Sequence, residues 1–178
     1  MKNTAKITFS AIMSALAVVI MLTSYFPYLT YAIPAIAGLC IMVVLIETNY
    51  KWAFFSYIAS AVLVFMFGEM ESKFLYVFLF GHYPILKAFI EKINKPVIEW
   101  LLKVVLFNIS ILIVYGLFSG VFAISVDDFG PLKQYGVAVL LILANIVFVV
   151  YDIAVARMSM LYINMLHPKI KRLFKKGF

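Results

Sequence analysis

The residues Ile7–Ser24, ITFSAIMSALAVVIMLTS, form an apolar run without a charged side chain, which predicts a membrane-spanning helix. On that helix, Ala11 and Ala15 lie one turn apart on one face. Ser10 and Ser14 have the same spacing beside them. A flat face of small residues lets another helix backbone approach closely, and this is a main source of helix–helix attraction in lipid. We expect this face either to dock a different protein or to pack against a neighbouring helix of the same chain.

The composition of the whole chain is that of an integral membrane protein. Its 178 residues are 66% hydrophobic and 13% charged, with a mean hydropathy of +1.07. A soluble domain has about 45–50% apolar and about 25% charged residues. The formal net charge of +7 fits the positive-inside bias of membrane proteins better than a nucleic-acid partner. The single Cys40 lies in an apolar run, which predicts a buried side chain without a disulfide or a metal.

Apolar stretches near 20 residues divide the chain into predicted spans joined by short connections. We predict a single membrane domain over residues 1–178, an all-α compact bundle of six transmembrane helices with cytoplasmic N and C termini. The approximate helices are 6–25, 31–47, 52–68, 74–93, 97–123 and 135–158, followed by a basic cytoplasmic tail over 163–178.

The distribution of charge favours this count and orientation. With both ends inside, every basic residue except Lys73 and Lys133 lies on the cytoplasmic side. The predicted outer loops carry the acidic residues Glu69, Glu71, Asp127 and Asp128. Shifting the count by one helix would scramble this asymmetry, so the positive-inside rule supports six helices. An acidic outer mouth would favour a cationic or neutral ligand over an anion.

A helix-breaking sequence, Gly81-His82-Tyr83-Pro84, falls inside the fourth apolar stretch. It predicts a kink or break there and not a new loop. His82 lies about halfway along this stretch, where an ionisable side chain is costly and must be explained. It would either line a ligand pocket or donate a hydrogen bond to a carbonyl freed by Pro84.

Other polar residues lie at depth in the last two predicted helices. Asn108 and Asn145 would either bind a polar ligand or join the helices by a hydrogen bond. Asp152 and Arg157 are five residues apart, so each is expected to find its partner on another helix.

Little in the sequence points to catalysis. The chain contains no Gly-x-x-x-x-Gly-Lys-[Ser/Thr], His-Glu-x-x-His or Gly-x-Ser-x-Gly motif, so we predict no enzyme activity, cofactor or metal. Two pairs of opposite charge have i,i+4 spacing and are typical of interfacial ion pairs. They are Glu99 with Lys103 and Lys87 with Glu91.

The starts of the first two helices carry a resemblance to a known family. Ala11-x-x-x-Ala15 lies in the first, and Pro34-Ala35-Ile36-Ala37-Gly38 opens the second. With six predicted helices and cytoplasmic ends, the chain resembles the substrate-binding S-component of an energy-coupling factor (ECF) vitamin transporter. The resemblance covers the whole chain as architecture, and these two motifs are its sequence-specific part.

The resemblance implies a multi-pass subunit of an ABC importer in the bacterial cytoplasmic membrane. Such a subunit binds a water-soluble vitamin or related nutrient outside, docks on a transmembrane coupling subunit, and topples in the lipid to release its ligand inside. Two cytoplasmic ATPases drive the coupling subunit. The implied docking residues are Ala11 and Ala15, with Ser10 and Ser14 beside them. No ligand-binding motif is carried over, and our candidate ligand contacts are Tyr28, Tyr31, Glu69, His82, Tyr83, Asn108 and Asn145.

Two other functions remain open at this point. A small membrane scaffold of the MreD cell-shape type would have a similar size and basic tail but would bind no nutrient. A small intramembrane enzyme acting on lipid would use His82 and Asp152.

Overall fold

The computed structural model describes residues 3–26, 29–118 and 136–176, which form helices joined by short turns, with no β-strand among them. The all-helical class is therefore confirmed for the described residues. In chain order the α-helices are α1 (Asn3–Leu22), α2 (Ile33–Glu47), α3 (Tyr50–Phe67), α4 (Met70–Leu75), α5 (Tyr83–Ile90), α6 (Pro96–Phe118), α7 (Gly136–Met165) and α8 (His167–Lys176).

Five helical stretches are long and apolar enough to cross a membrane. They are Asn3–Tyr25, Tyr50–Phe67, Met70–Ile93, Pro96–Val114 and Leu141–Met165. The third combines α4, a π-helical turn over Tyr76–Phe80, α5 and a 3₁₀ turn over Glu91–Ile93. The remaining apolar helix, α2, has 15 residues and spans about 22 Å, less than the roughly 30 Å of a hydrocarbon core. These helices fit a membrane protein, and the count of six spans and the orientation of the termini stay predictions.

The short helix α2 lies at the centre of the bundle, where it packs against α1, α3, α5 and α7. Pro34 occupies its first turn, where a missing N–H removes no helical hydrogen bond. Ala37, Ile41 and Val44 are fully buried along it. The Cys40 side chain is buried beside them, as the sequence predicts. Neighbouring helices rather than lipid therefore surround most of α2.

Local capping sets two of the helix boundaries. The Asn49 side chain accepts a hydrogen bond of 3.1 Å from the backbone N–H of Trp52, so α3 begins directly after the turn that ends α2. Asn94 adopts a left-handed conformation with φ of 54°, which turns the chain back after α5. Pro96 then occupies the first position of α6.

The C-terminal part of the chain differs from the expected basic tail. The sequence predicts an end of the sixth helix near residue 158, but α7 continues to Met165, and only Leu166 separates it from α8. Pro168 is the second residue of α8. A proline is compatible with the first helical turn, so His167-Pro168 begins a new helix.

Aromatic rings form the core between the broken helix and the last two long helices. The rings of Phe107 on α6 and Phe148 on α7 stack with centroids 4.2 Å apart. Tyr83 meets Phe148 edge-on at 5.3 Å, and Phe80 meets Tyr151 edge-on at 4.7 Å. Such pairs add to the hydrophobic contribution of their burial and hold α5, α6 and α7 in one arrangement.

Candidate functional site

The helix that contains Gly81 is broken at mid-length, as the sequence predicts. Its π-helical turn ends where the backbone N–H of Gly81 bonds to the carbonyl of Tyr76 at 2.8 Å, one residue farther back than in an α-helix. A Cβ on Gly81 would lie 2.8 Å from that carbonyl oxygen and 3.0 Å from the ring of Tyr57. The absence of a side chain therefore permits the tight turn before α5.

Two tyrosine hydroxyls from other helices satisfy carbonyls at the break. Pro84 cannot donate to the carbonyl of Phe80, and the Tyr151 hydroxyl of α7 donates to that oxygen at 3.3 Å. The Tyr57 hydroxyl of α3 donates to the carbonyl of Val77 at 2.6 Å. We expected His82 as one possible donor to the carbonyl freed by Pro84, but Tyr151 occupies that role. The break is thus built into the packing of three helices.

The central helix approaches the same carbonyl closely at Gly38. A Cβ at Gly38 would lie 2.6 Å from the Phe80 oxygen and 2.8 Å from the Tyr151 hydroxyl oxygen. Real Cβ atoms do not approach other atoms that closely, so glycine is required for α2 to meet the break. This contact gives a structural role to the last residue of the Pro34–Gly38 motif.

Four charged side chains and one tyrosine form a network directly after the break. Asp152 on α7 accepts hydrogen bonds from the Tyr83 hydroxyl and from the Lys87 ammonium, both on α5. The Lys103 ammonium on α6 lies 3.3 Å from the same carboxylate. The side chains of Lys87 and Asp152 are each 7% exposed and that of Lys103 is 5% exposed. The expectation that Asp152 finds its partner on another helix is confirmed.

Glu91 completes this network and balances its charge. Its carboxylate lies 2.7 Å from both Lys87 and Lys103, so two carboxylates face two ammonium groups. The Lys87–Glu91 pair is as expected, whereas Lys103 pairs with Glu91 and Asp152 in place of the expected Glu99. Buried charges require such complete pairing because each unpaired ion would carry a large desolvation penalty. We refer to Tyr83, Lys87, Glu91, Lys103 and Asp152 as the inner charge network.

His82 lies in the wall of an open groove on the side of the bundle. The groove has a volume of about 380 Å³ and runs between α3 and α6, next to the break. The rings of His82 and Tyr57 lie 5.8 Å apart by their centroids. Other lining residues are Phe54, Leu86, Ser110 and Ile113. His82 therefore lies beside an open groove at the break, and its role as a ligand contact stays a prediction.

Asn108 and Asn145 contact each other and join α6 to α7. The amide of Asn108 donates to the carbonyl oxygen of Asn145 at 3.0 Å, and the reverse bond measures 2.8 Å. Each amide also donates to the backbone carbonyl four residues earlier, at Val104 and Leu141. Each side-chain amide therefore donates both of its N–H groups to acceptors within the protein. This is the arrangement expected of residues that join helices.

The candidate residues near the start of α4 form a separate cluster. The Glu69 carboxylate caps α4 by accepting the backbone N–H groups of Glu71 and Ser72 at 3.1 and 2.8 Å. The Tyr31 hydroxyl donates to the Glu71 carboxylate at 2.8 Å. Burial and this hydrogen bond raise the pKa of Tyr31 to about 12. Tyr28 lies outside the described residues.

The two pairs of small residues on α1 have different surroundings. Ser10 and Ser14 are buried against α3, where the Ser14 hydroxyl donates to the carbonyl of Ser56 at 3.2 Å. Ala11 and Ala15 are exposed. The structure thus divides the predicted face, because the serines are buried and the alanines are exposed. Of these four residues, Ala11 and Ala15 are the pair that the described part of the chain leaves uncovered.

Sequence reasoning assigned no role to Tyr57 or Tyr151, and it paired Lys103 with Glu99. A partial signal existed for Tyr151 and Lys103, since Pro84 necessarily frees a carbonyl and a lysine within an apolar stretch needs a counter-ion. The identity of the partner required the three-dimensional arrangement of the helices.

No protein-family model, curated protein or solved structure matches the chain. Over the described ranges, no group of three or more His, Cys, Asp and Glu side chains is placed to hold a metal ion. The physical features that bear on function are therefore the uncovered face of α1, the broken helix with its groove, and the inner charge network.

Proposed function

We propose that this chain is the membrane-embedded substrate-binding subunit of an ECF-type importer. In this proposal it captures a water-soluble vitamin or related small nutrient outside, docks on a coupling subunit and releases the nutrient inside. The observation that carries the proposal is the exposure of Ala11 and Ala15 on α1. The proposal includes six spans with both termini in the cytoplasm.

The uncovered part of α1 has the chemistry of a helix-docking surface. Its opposite side packs against α2 and α3 within the bundle. Around Ala11 and Ala15, the side chains of Ile12, Leu16 and Val19 are also exposed and apolar. Small residues bordered by larger apolar ones let a partner helix approach the backbone and gain van der Waals contact that lipid chains give less well.

The energy for transport is proposed to come from partner subunits. The chain has no ATP-binding motif, so two cytoplasmic ATPases would act through the transmembrane coupling subunit. Binding would take place near the start of α4, beside Tyr31 and Glu69, at the end of the bundle that this proposal assigns to the outer side. Docking through α1 would then reorient the bundle as a unit, because aromatic packing and the inner charge network hold α5, α6 and α7 together.

The docking step is tested by enlarging the exposed alanines. We expect Ala11→Trp and Ala15→Trp to abolish co-purification with a coupling subunit and its ATPases from the native membrane, because a bulky ring prevents close backbone approach. Ala154→Trp, at an exposed alanine of α7, is the matched control and should co-purify normally. Normal co-purification of both α1 variants would remove the support for this proposal.

The ligand is tested by native mass spectrometry of the protein purified after growth in rich medium. A nutrient bound with nanomolar affinity, about −12 kcal/mol, should be retained or rebind. A chain that retains no small molecule and instead captures cell-shape proteins would be a scaffold of the MreD type. Lipid turnover that is lost in His82→Ala and Asp152→Asn variants that remain folded would indicate an intramembrane enzyme.

A further inference from the structure

The C-terminal helix α8 combines a strong positive charge with regularly spaced apolar residues. Its sequence, HPKIKRLFKK, contains five lysine and arginine residues in ten positions. Ile170, Leu173 and Phe174 recur at intervals of three and four, the spacing of one helical face. In the structure Lys169 and Lys171 are exposed, and Ile170 is half-buried between them. This combination is typical of helices that lie in a membrane interface.

A buried carboxylate fixes where α8 begins. The Glu47 side chain at the end of α2 is 3% exposed and lies 2.9 Å from the Nδ1 atom of His167. The Tyr162 hydroxyl of α7 donates to the same carboxylate oxygen at 2.8 Å. The first residue of α8 is therefore attached to the end of the central helix, at the level of the turn between α2 and α3.

The connection between α7 and α8 is a single residue long. Only Leu166 lies between the two helices, and both Met165 and Leu166 are exposed apolar residues. With Leu141–Met165 as a membrane-spanning stretch, the first turn of α8 follows the apolar layer directly, at the level of the headgroups. The apolar surface of α7 thus continues into α8 without a soluble linker.

We propose that α8 lies in the headgroup layer of the bilayer and binds anionic phospholipids through its lysine and arginine side chains. The ammonium groups of Lys169 and Lys171 complement phosphate charge. Ile170 lies between them, and the sequence repeats its apolar character at positions 173 and 174, which is the pattern that an acyl-chain boundary favours. A purely electrostatic contact with an acidic protein would not need this apolar spacing. A lipid surface satisfies both features, and the proposal does not depend on transport.

The charge requirement is tested by titrating the full-length protein in dodecyl maltoside with short-chain phosphatidylglycerol, and with phosphatidylcholine for comparison. We expect a clear preference for phosphatidylglycerol. The Lys169→Gln/Lys171→Gln variant should bind it about twenty-five-fold more weakly, at about fivefold for each charge. The control Lys51→Gln/Lys95→Gln removes the same charge from exposed positions outside α8 and should change the affinity much less. Equal weakening in both variants, or no lipid preference, would overturn the proposal.

The position of α8 is tested by fluorescence quenching in vesicles of phosphatidylcholine and phosphatidylglycerol at a ratio of 3:1. Ile170→Cys and Lys171→Cys, each in a Cys40→Ser background, would carry an environment-sensitive dye. We expect lipids with a nitroxide on the acyl chain to quench position 170 more strongly than position 171. If a water-soluble quencher reaches both positions equally, or if only an added soluble partner protein protects them, the lipid surface is not the occupant.

Discussion

The inner charge network predicts a large stability defect when Asp152 alone loses its charge. Asp152→Asn preserves the shape of the side chain but leaves the buried ammonium groups of Lys87 and Lys103 with Glu91 as their counter-ion. Glu91 is 42% exposed and is therefore a weaker, partly hydrated partner. The substitution thus converts a balanced network into one with an excess positive charge in the interior.

The expected magnitude follows from the burial of these groups. Breaking a buried ion pair by removing one partner costs about 3–5 kcal/mol, and the remaining Glu91 places this case near the lower limit of about 3 kcal/mol. For a chain of this length, that corresponds to a fall in Tm of about 10 °C. Adding Lys87→Met to Asp152→Asn restores the balance, because one lysine and one carboxylate remain. The free energy of unfolding lost in the double variant should be about 2 kcal/mol smaller than the sum of the losses in the two single variants.

The single buried cysteine provides the assay. Cys40 is 5% exposed, so a thiol-reactive dye becomes fluorescent only as the protein unfolds in detergent. Melting curves of the wild type, Asp152→Asn, Lys87→Met and the double variant complete a double-mutant cycle. A Tm within about 2 °C of the wild type for Asp152→Asn, or strictly additive effects, would show that the network carries no coupled stabilisation.

Two further predictions concern local contacts. Gly38→Ala should lower the free energy of unfolding by about 1–3 kcal/mol, because the new methyl group meets the Phe80 carbonyl and the Tyr151 hydroxyl. The control is Gly116→Ala, where no atom lies within 4 Å of the added Cβ, and its Tm in the same dye assay should match or exceed that of the wild type. The difference in tyrosinate absorbance between wild type and Tyr31→Phe should have its midpoint near pH 12 instead of the ordinary value of 10, and a midpoint near 10 would contradict the burial and bonding of Tyr31. Because this pKa is raised on folding, the stabilisation from Tyr31 should be complete below pH 10 and lost as the pH rises through 12.

The features that the sequence predicted correctly depend on local chemistry. Apolar length indicated the helices, and Pro84 indicated the break, because a proline acts on the helical turn that contains it. The helical form of residues 167–176 was not predicted, although the spacing of Ile170, Leu173 and Phe174 carried a signal for it. The high density of basic residues favoured interpretation as a tail, whereas the helix begins at a proline that the first turn tolerates.

The features that the sequence did not predict depend on which helices meet. Spacing favoured Glu99 as the partner of Lys103, but tertiary packing brings Asp152 and Glu91 to it. The sequence likewise did not predict which residues of α1 are covered. Ser10 and Ala11 are adjacent in the sequence, and only the packing of α3 decides which of them is buried. A repeat of small residues therefore predicts close helix packing but not the identity of the packed neighbour.

The separation of these two regions makes a docking defect distinguishable from a folding defect. The exposed alanines lie on α1, which packs on α2 and α3, whereas the inner charge network joins α5, α6 and α7. A tryptophan at Ala11 or Ala15 points away from buried contacts, so it should leave the melting curve nearly unchanged while blocking a partner helix. Asp152→Asn should do the opposite, because it weakens the interior and leaves the α1 face intact. A chain that used one surface for both stability and docking could not give these opposite patterns.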